Sequence, residues 1–294
     1  MSEWFLGVVG GSGLSSIAGL KDAAWIDCET PWGRPSDAIL TGRIHDTRVA
    51  FLPRHGRGHS VPPGALNARA NIAALKQIGC TDVLSISAVG SLREDLSPGM
   101  FVVIDQYIDR TVARPSSFFG PGVVAHVSLA DPVCARLSDL AHEGGKASGV
   151  PLVKGGTYVA IEGPQFSTRA ESHLYRSWGC DVIGMTGMPE ARLAREAELP
   201  YACVGMVTDY DCWRAQTADV QVTDVLAILK SNAEAARGLV ETLVRTLPER
   251  REASPIDTTL DMAVITSPEL WEPELKARLA TICPRKFSQA SPAR

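Results

Sequence analysis

Tyr201-Ala202-Cys203-Val204-Gly205-Met206-Val207-Thr208-Asp209-Tyr210-Asp211-Cys212-Trp213 decides how this chain is read. The run from Tyr201 to Val207 is continuously apolar, as in a strand buried on both faces. Two carboxylates at i and i+2 then leave the strand on the same side. The exit of a strand from an open α/β sheet is where such sheets bind ligands. Paired acids there suit a cation, a metal, or a ring nitrogen that must be protonated, and each raises the other's pKa. A solvated turn that caps a helix carries equal weight for Asp-x-Asp taken alone.

Further strand ends carry a second kind of chemistry. Phe5-Leu6-Gly7-Val8-Val9 is apolar and ends in Gly10-Gly11-Ser12-Gly13, whose backbone amides can converge as an anion nest. A Walker loop is excluded, since no Gly-Lys-Ser/Thr follows. A dinucleotide fingerprint is excluded because position 16 is Ser, not Gly. The strand Val49–Leu52 runs into Arg54-His55-Gly56-Arg57-Gly58-His59, four possible cations spaced by glycines. Arginine binds phosphate in bidentate fashion and glycine lets the backbone approach a small anion, so a phosphate group is the favoured partner. Asp82–Val89 is a strand closing on Ser87-Ala88-Val89-Gly90-Ser91. Together these ends describe a bipolar site, with phosphate at one end and a nitrogenous ring at the other.

The rest of the chain alternates strands with helices. Helices are expected over 65–79, 132–147, 168–178, 189–197 and 222–247, and strands over 100–104, 155–161 and 181–185. This pattern gives an α/β fold with a central mixed sheet flanked by helices in a single domain over residues 1–250. Residues 251–294 form a partly helical extension, with a frayed tail from Lys286. The 294 residues are 45% hydrophobic and 21% charged, with net charge −4, so a large core is available and neither nucleic acid nor a membrane is an expected partner. No leader or membrane-spanning run is visible, which points to the cytoplasm. The seven cysteines are scattered without C-x-x-C and are read as reduced core thiols; no metal site is expected.

Gly10-Gly11-Ser12-Gly13-Leu14, Arg54–His59, Ser91-Leu92-Arg93-Glu94, Glu162-Gly163-Pro164-Gln165-Phe166-Ser167, Met185-Thr186 and Thr208–Trp213 resemble, in order, the trimeric purine nucleoside phosphorylase family. The likeness is closest to the branch acting on S-methyl-5′-thioadenosine and runs from about residue 5 to 247. It implies phosphorolysis of 5′-methylthioadenosine to adenine and 5-methylthioribose 1-phosphate, with phosphate as co-substrate and no cofactor. Carried over by residue, phosphate falls to Ser12, Arg54, His55, Ser87, Ala88 and Thr186. Thr186 with Met185 also borders the ribose, and the base falls to Phe166, Ser167, Asp209 and Asp211. The methylthio group is expected against Val222 and Val225, with His126 entering from a neighbouring subunit of a homotrimer. Asp209 is the expected acid toward the purine and Asp211 its tuner. Ser12 and Ser87 stand where many relatives have Thr, and the Met-Thr-Gly-Met-Pro-Glu run at 185–190 is shared with inosine-type relatives. The alternatives are a broader purine phosphorylase accepting adenosine or methylthioinosine, and a non-catalytic nucleotide- or phosphate-binding protein.

Overall fold

Asp82–Ser91 is the strand around which the other elements are arranged. The computed structural model describes residues 3–11, 14, 19–214 and 222–288, and for 222–227 the backbone alone. Its strands are β1 (Phe5–Gly10), β2 (Lys21–Ile26), β3 (Ile39–Ile44), β4 (Thr47–Pro53), β5 (Asp82–Ser91), β6 (Phe101–Ile104), β7 (Gln106–Arg110), β8 (Leu152–Lys154), β9 (Thr157–Ile161), β10 (Val182–Gly184) and β11 (Tyr201–Asp209). Among the described residues they form one mixed sheet in the order β2-β3-β4-β1-β5-β10-β9-β7, while β11, β6 and β8 branch from β5.

The two edges of β5 are treated differently. β11 follows one edge in parallel from Val83 to Gly90. The other edge is shared: β1 pairs in parallel up to Val9↔Ser85, and β10 pairs in antiparallel at Ile183↔Gly90 and Val182↔Ser91. Among the described residues, the stretch Ile86–Val89 has no strand neighbour on that edge. The C-terminal ends of β1 and β10 point at each other across the gap, and the site lies there.

Both sheet faces are covered. On one, α1 (Ala68–Gln77) and α4 (Gly187–Glu196) pack with the extension; on the other, α2 (Ala135–Ser148) and α5 (Val222–Thr246) do so. Successive strand residues therefore go to opposite cores: Val9, Leu52, Val83 and Cys203 to the first, Val8, Phe51, Leu84 and Val204 to the second. This accounts for the continuous apolar runs that replace alternation. A further helix, α3 (Arg169–Ser177), opens on a capping box between Thr168 and Glu171.

Four strands escape the sequence reading. β2 is exposed along its whole length and β7 is polar at both ends, so neither has a core-facing pattern. β3 contains Thr41-Gly42-Arg43, a poor strand sequence held by pairing with β4. The run 155–161 begins after β8, whose partner is β6; β9 pairs with β7 and β10.

Residues 251–288 share the core. Arg251 bridges buried Asp82 at 2.5 Å and Asp257 at 2.6 Å. Glu198 accepts the Leu260 amide at 2.8 Å and the Arg285 guanidinium at 2.5 Å. Helices α6 (Pro273–Ala280) and α7 (Pro284–Phe287) bury Leu279 and Phe287 against the first core. The frayed tail expected from Lys286 is corrected on this point: Lys286 and Phe287 are helical, because Phe287 is an apolar anchor. Residues 289–294 lie outside the described ones.

Candidate active site

A cavity of about 590 Å³ fills the gap beside β5. Its walls are the C-terminal ends of β1, β4, β5, β9, β10 and β11, closed by α5. It brings together Arg54, His55, Ser87, Ala88, Phe166, Ser167, Met185, Thr186, Asp209 and Asp211, which are up to 157 positions apart in the chain. Gly11 also lines it; Ser12 lies outside the described residues. Val222 and Val225 belong to α5, in the part where only the backbone is described. His126 does not line the cavity of its own subunit. It is exposed on a segment whose amide bonds to Ala263 O at 2.9 Å.

One end of the cavity gathers hydroxyls and a buried arginine. Ser87 Oγ lies 3.2 Å from Thr186 Oγ1 and 3.4 Å from the Tyr158 hydroxyl, which accepts the Thr186 amide at 3.3 Å. Tyr158 reaches this position because residue 184 is glycine; a Cβ there would stand 2.1 Å from the phenolic oxygen. Arg54 is only 2% exposed and donates Nη1–H to Ile86 O at 3.0 Å. The neighbouring His55 stacks on His59 at 4.3 Å, and its Nδ1 lies 2.9 Å from Val61 O. That carbonyl can only accept, so Nδ1 carries the proton and Nε2 is left as an acceptor. Burial, then the Arg54 charge, push the His55 pKa down to about 4, so the ring is neutral at pH 7.

The other end carries the acid pair. Asp209 Oδ1 accepts the Asp211 amide at 2.8 Å, and Oδ2 accepts the Thr208 hydroxyl at 2.7 Å. Asp211 follows in a left-handed turn, φ 50°, and its buried Oδ2 has no hydrogen-bond partner. Burial raises both carboxyls above the usual range, and for Asp211 the charge of Asp209 adds to it. Gly90 makes the room, since a Cβ there would approach Asp209 Oδ1 to 2.9 Å. Phe166, 51% exposed, stands free at the cavity wall instead of joining the core. Met206, Leu229 and Ala233 make the α5 side apolar.

Several residues here carry no decisive sequence signal. Tyr158 lies inside a strand pattern and Leu229 and Ala233 inside a helical one, with no local sign of a site. Arg114 donates to Glu162 Oε1 at 3.0 Å, to Glu162 O and Met185 O at 2.5 Å, and to Met188 O at 3.1 Å. It ties the segment after β9 to the segment after β10. Glu190 pairs with Arg54; it closes the run 185–190 and is an acid in the first turn of a helix, an ordinary place for one, and neither feature points to that pairing.

Comparison with known proteins places the chain in a family. Residues 5–245 match the model of the phosphorylase superfamily. The S-methyl-5′-thioadenosine phosphorylase of Cereibacter sphaeroides is 56% identical over 282 residues, covering 95% of this chain and 97% of that protein. The crystal structure of a methylthioadenosine phosphorylase from an antarctic soil metagenomic library superposes with a TM-score of 0.91 at 43% identity, covering 97% of this chain and all of that one. A Schistosoma mansoni adenosine/methylthioadenosine phosphorylase variant, solved with methylthioadenosine, gives a TM-score of 0.78 at 37% identity over 83% of this chain and 91% of its own. Matched over most of its length by family model, sequence and fold, the chain belongs to the phosphorylase superfamily.

Proposed function

We infer that the protein catalyses phosphorolysis of 5′-methylthioadenosine by inorganic phosphate, giving adenine and 5-methylthioribose 1-phosphate, a salvage reaction. The observation that carries this reading is the bipolar cavity. Hydroxyls and an arginine line one end and two raised-pKa carboxyls the other, with apolar side chains of α5 between. The C1′–N9 bond breaks as positive charge grows on the sugar and negative charge on the base. Phosphate, oriented by Arg54, His55, Ser87 and Thr186, stabilises that cation and then forms the new C1′–O bond. Asp209, protonated, gives its proton to N7 of the leaving adenine. Asp211 accepts from the 6-amino group, which suits its unpartnered Oδ2. Met185 borders the ribose, and Phe166 and Ser167 the base. No step calls for a metal or an organic cofactor.

Leu229 and Ala233, four apart, share the face of α5 that lines the cavity, and in the sequence Val222 and Val225 precede them at spacings of three and four. In this reading that face receives the methylthio group. His126 completes the pocket of a neighbouring copy in a homotrimer. This is supported by the exposed Val124, Met262 and Ile265 beside it, 42%, 94% and 65% accessible, an apolar surface suited to a second copy. A cytoplasmic location is supported by seven cysteines that are all free thiols.

The test is base release from methylthioadenosine, adenosine and methylthioinosine under saturating phosphate. The reading expects methylthioadenosine to have the highest kcat/KM. A methylthioinosine rate above it would overturn the assignment of the acid pair to a 6-amino purine.

A further inference from the structure

Arg54 reaches the cavity already paired. Glu190, 2% exposed on α4, meets it two-pronged: Arg54 Nε donates to Oε1 at 2.5 Å and Nη2 to Oε2 at 3.1 Å. Ser85 Oγ accepts from Nη2 at 2.6 Å and donates to Oε2 at 3.3 Å. The Tyr201 hydroxyl donates to the same carboxylate at 3.1 Å. A guanidinium has five N–H groups. Nε–H, both Nη2 hydrogens and the Nη1 hydrogen on Ile86 O are committed to protein, which leaves one Nη1–H. Among the described residues no lysine or second arginine lines the cavity; its histidines are His55, which is neutral, and His59 stacked on it. The end assigned to phosphate therefore has no net charge from Arg54, His55 and Glu190 together.

We propose that Glu190 is a positioning residue that sets the charge of the phosphate end. It fixes the Arg54 guanidinium with a single N–H toward the ligand and cancels its charge. Phosphate is then held by directed hydrogen bonds instead of bulk attraction, and the anionic sugar 1-phosphate is free to leave. The idea rests on the placement of phosphate given above. An unpaired buried arginine would bind either anion more tightly, since a charge at contact distance in a partly buried site is worth more than tenfold in affinity. The carboxylate prevents this.

Glu190→Gln keeps the shape and removes the charge. The KM for phosphate is expected to fall about tenfold, kcat to fall severalfold as sugar phosphate lingers, and the KM for methylthioadenosine to stay within about twofold. Without phosphate the variant should melt below the parent protein, and phosphate should raise its Tm by more than it raises the parent's. A phosphate KM that is unchanged or raised, or an equal phosphate-induced Tm shift, overturns the proposal. If the variant does not fold, the unaltered enzyme decides. With the Arg54 charge cancelled by Glu190, its phosphate KM should change less than about twofold between roughly 20 and 200 mM salt, and a larger change overturns the proposal. Phosphate dependence of the unaltered enzyme is measured first. A phosphate-independent enzyme removes the site assignment itself, whereas a phosphate-dependent one with the contrary Glu190→Gln result removes only the role of Glu190.

Discussion

Asp211 donates its backbone N–H to Asp209 Oδ1 at 2.8 Å, so the turn that follows β11 is closed by the side chain assigned as the acid. The Thr208 hydroxyl holds the second oxygen at 2.7 Å. An amide at position 209 can satisfy both contacts, accepting from Asp211 and donating to Thr208. Asp209→Asn should therefore melt within a few degrees of the parent while kcat falls by about 10²–10⁴. Asp211→Asn should cost less. A destabilised variant of full activity would reduce the pair to a structural turn.

Leu229 and Ala233 give the α5 side of the cavity its apolar character. Leu229→Ser should lower kcat/KM for methylthioadenosine relative to adenosine by about tenfold, within the range an apolar group of this size can supply. Parallel losses on both substrates would move the methylthio group elsewhere.

His55 contributes to stability with a definite sign. Its folded pKa, about 4, lies below the ordinary 6.5, so the unfolded chain binds more protons between these values and stability is lost as pH falls through that window. At pH 5 the difference amounts to about 2 kcal/mol, and at pH 7 to almost nothing. Denaturant melts at the two pH values should show the parent protein losing about 2 kcal/mol more than His55→Asn. Equal losses would mean that the ring charges freely in the folded protein.

Arg114 fastens the peptide carbonyls of Glu162 and Met185, and so the register between Phe166 and Thr186. Arg114→Ala leaves the carbonyls of Glu162, Met185 and Met188 without this donor and the Glu162 carboxylate with only the Val112 and Ala113 amides, at a cost of about 3 kcal/mol. Tm should fall, and the KM values for nucleoside and phosphate should both rise, since both ends of the cavity lose their support. Unchanged kinetics at lowered Tm would restrict Arg114 to folding.

What could be read from the sequence is local. A strand and the polar group at its C-terminal end are contiguous, so Arg54, Ser87, Thr186 and Asp209 each stand out in the sequence alone. The gap along β5 depends on β1 and β10 stopping short on the same edge, a property of two separate long-range pairings, Leu6 with Asp82 and Val182 with Ser91. Glu190 and Arg54 are 136 positions apart, and Tyr158 acts only through the space left by Gly184. Such partners carry no local pattern. β2 carries no pattern because it is exposed and held by pairing with β3, and in β3 the stretch Thr41-Gly42-Arg43 interrupts the buried Ile39, Leu40 and Ile44.

The central claim is that phosphate is the nucleophile. The most direct measurement follows methylthioadenosine by ³¹P NMR and adenine release, in phosphate-containing and rigorously phosphate-free buffer. Adenine and a sugar 1-phosphate should appear in equal amounts when phosphate is present, and adenine release should be negligible when it is absent. Equal adenine release in both buffers, with free methylthioribose as the second product, would contradict it.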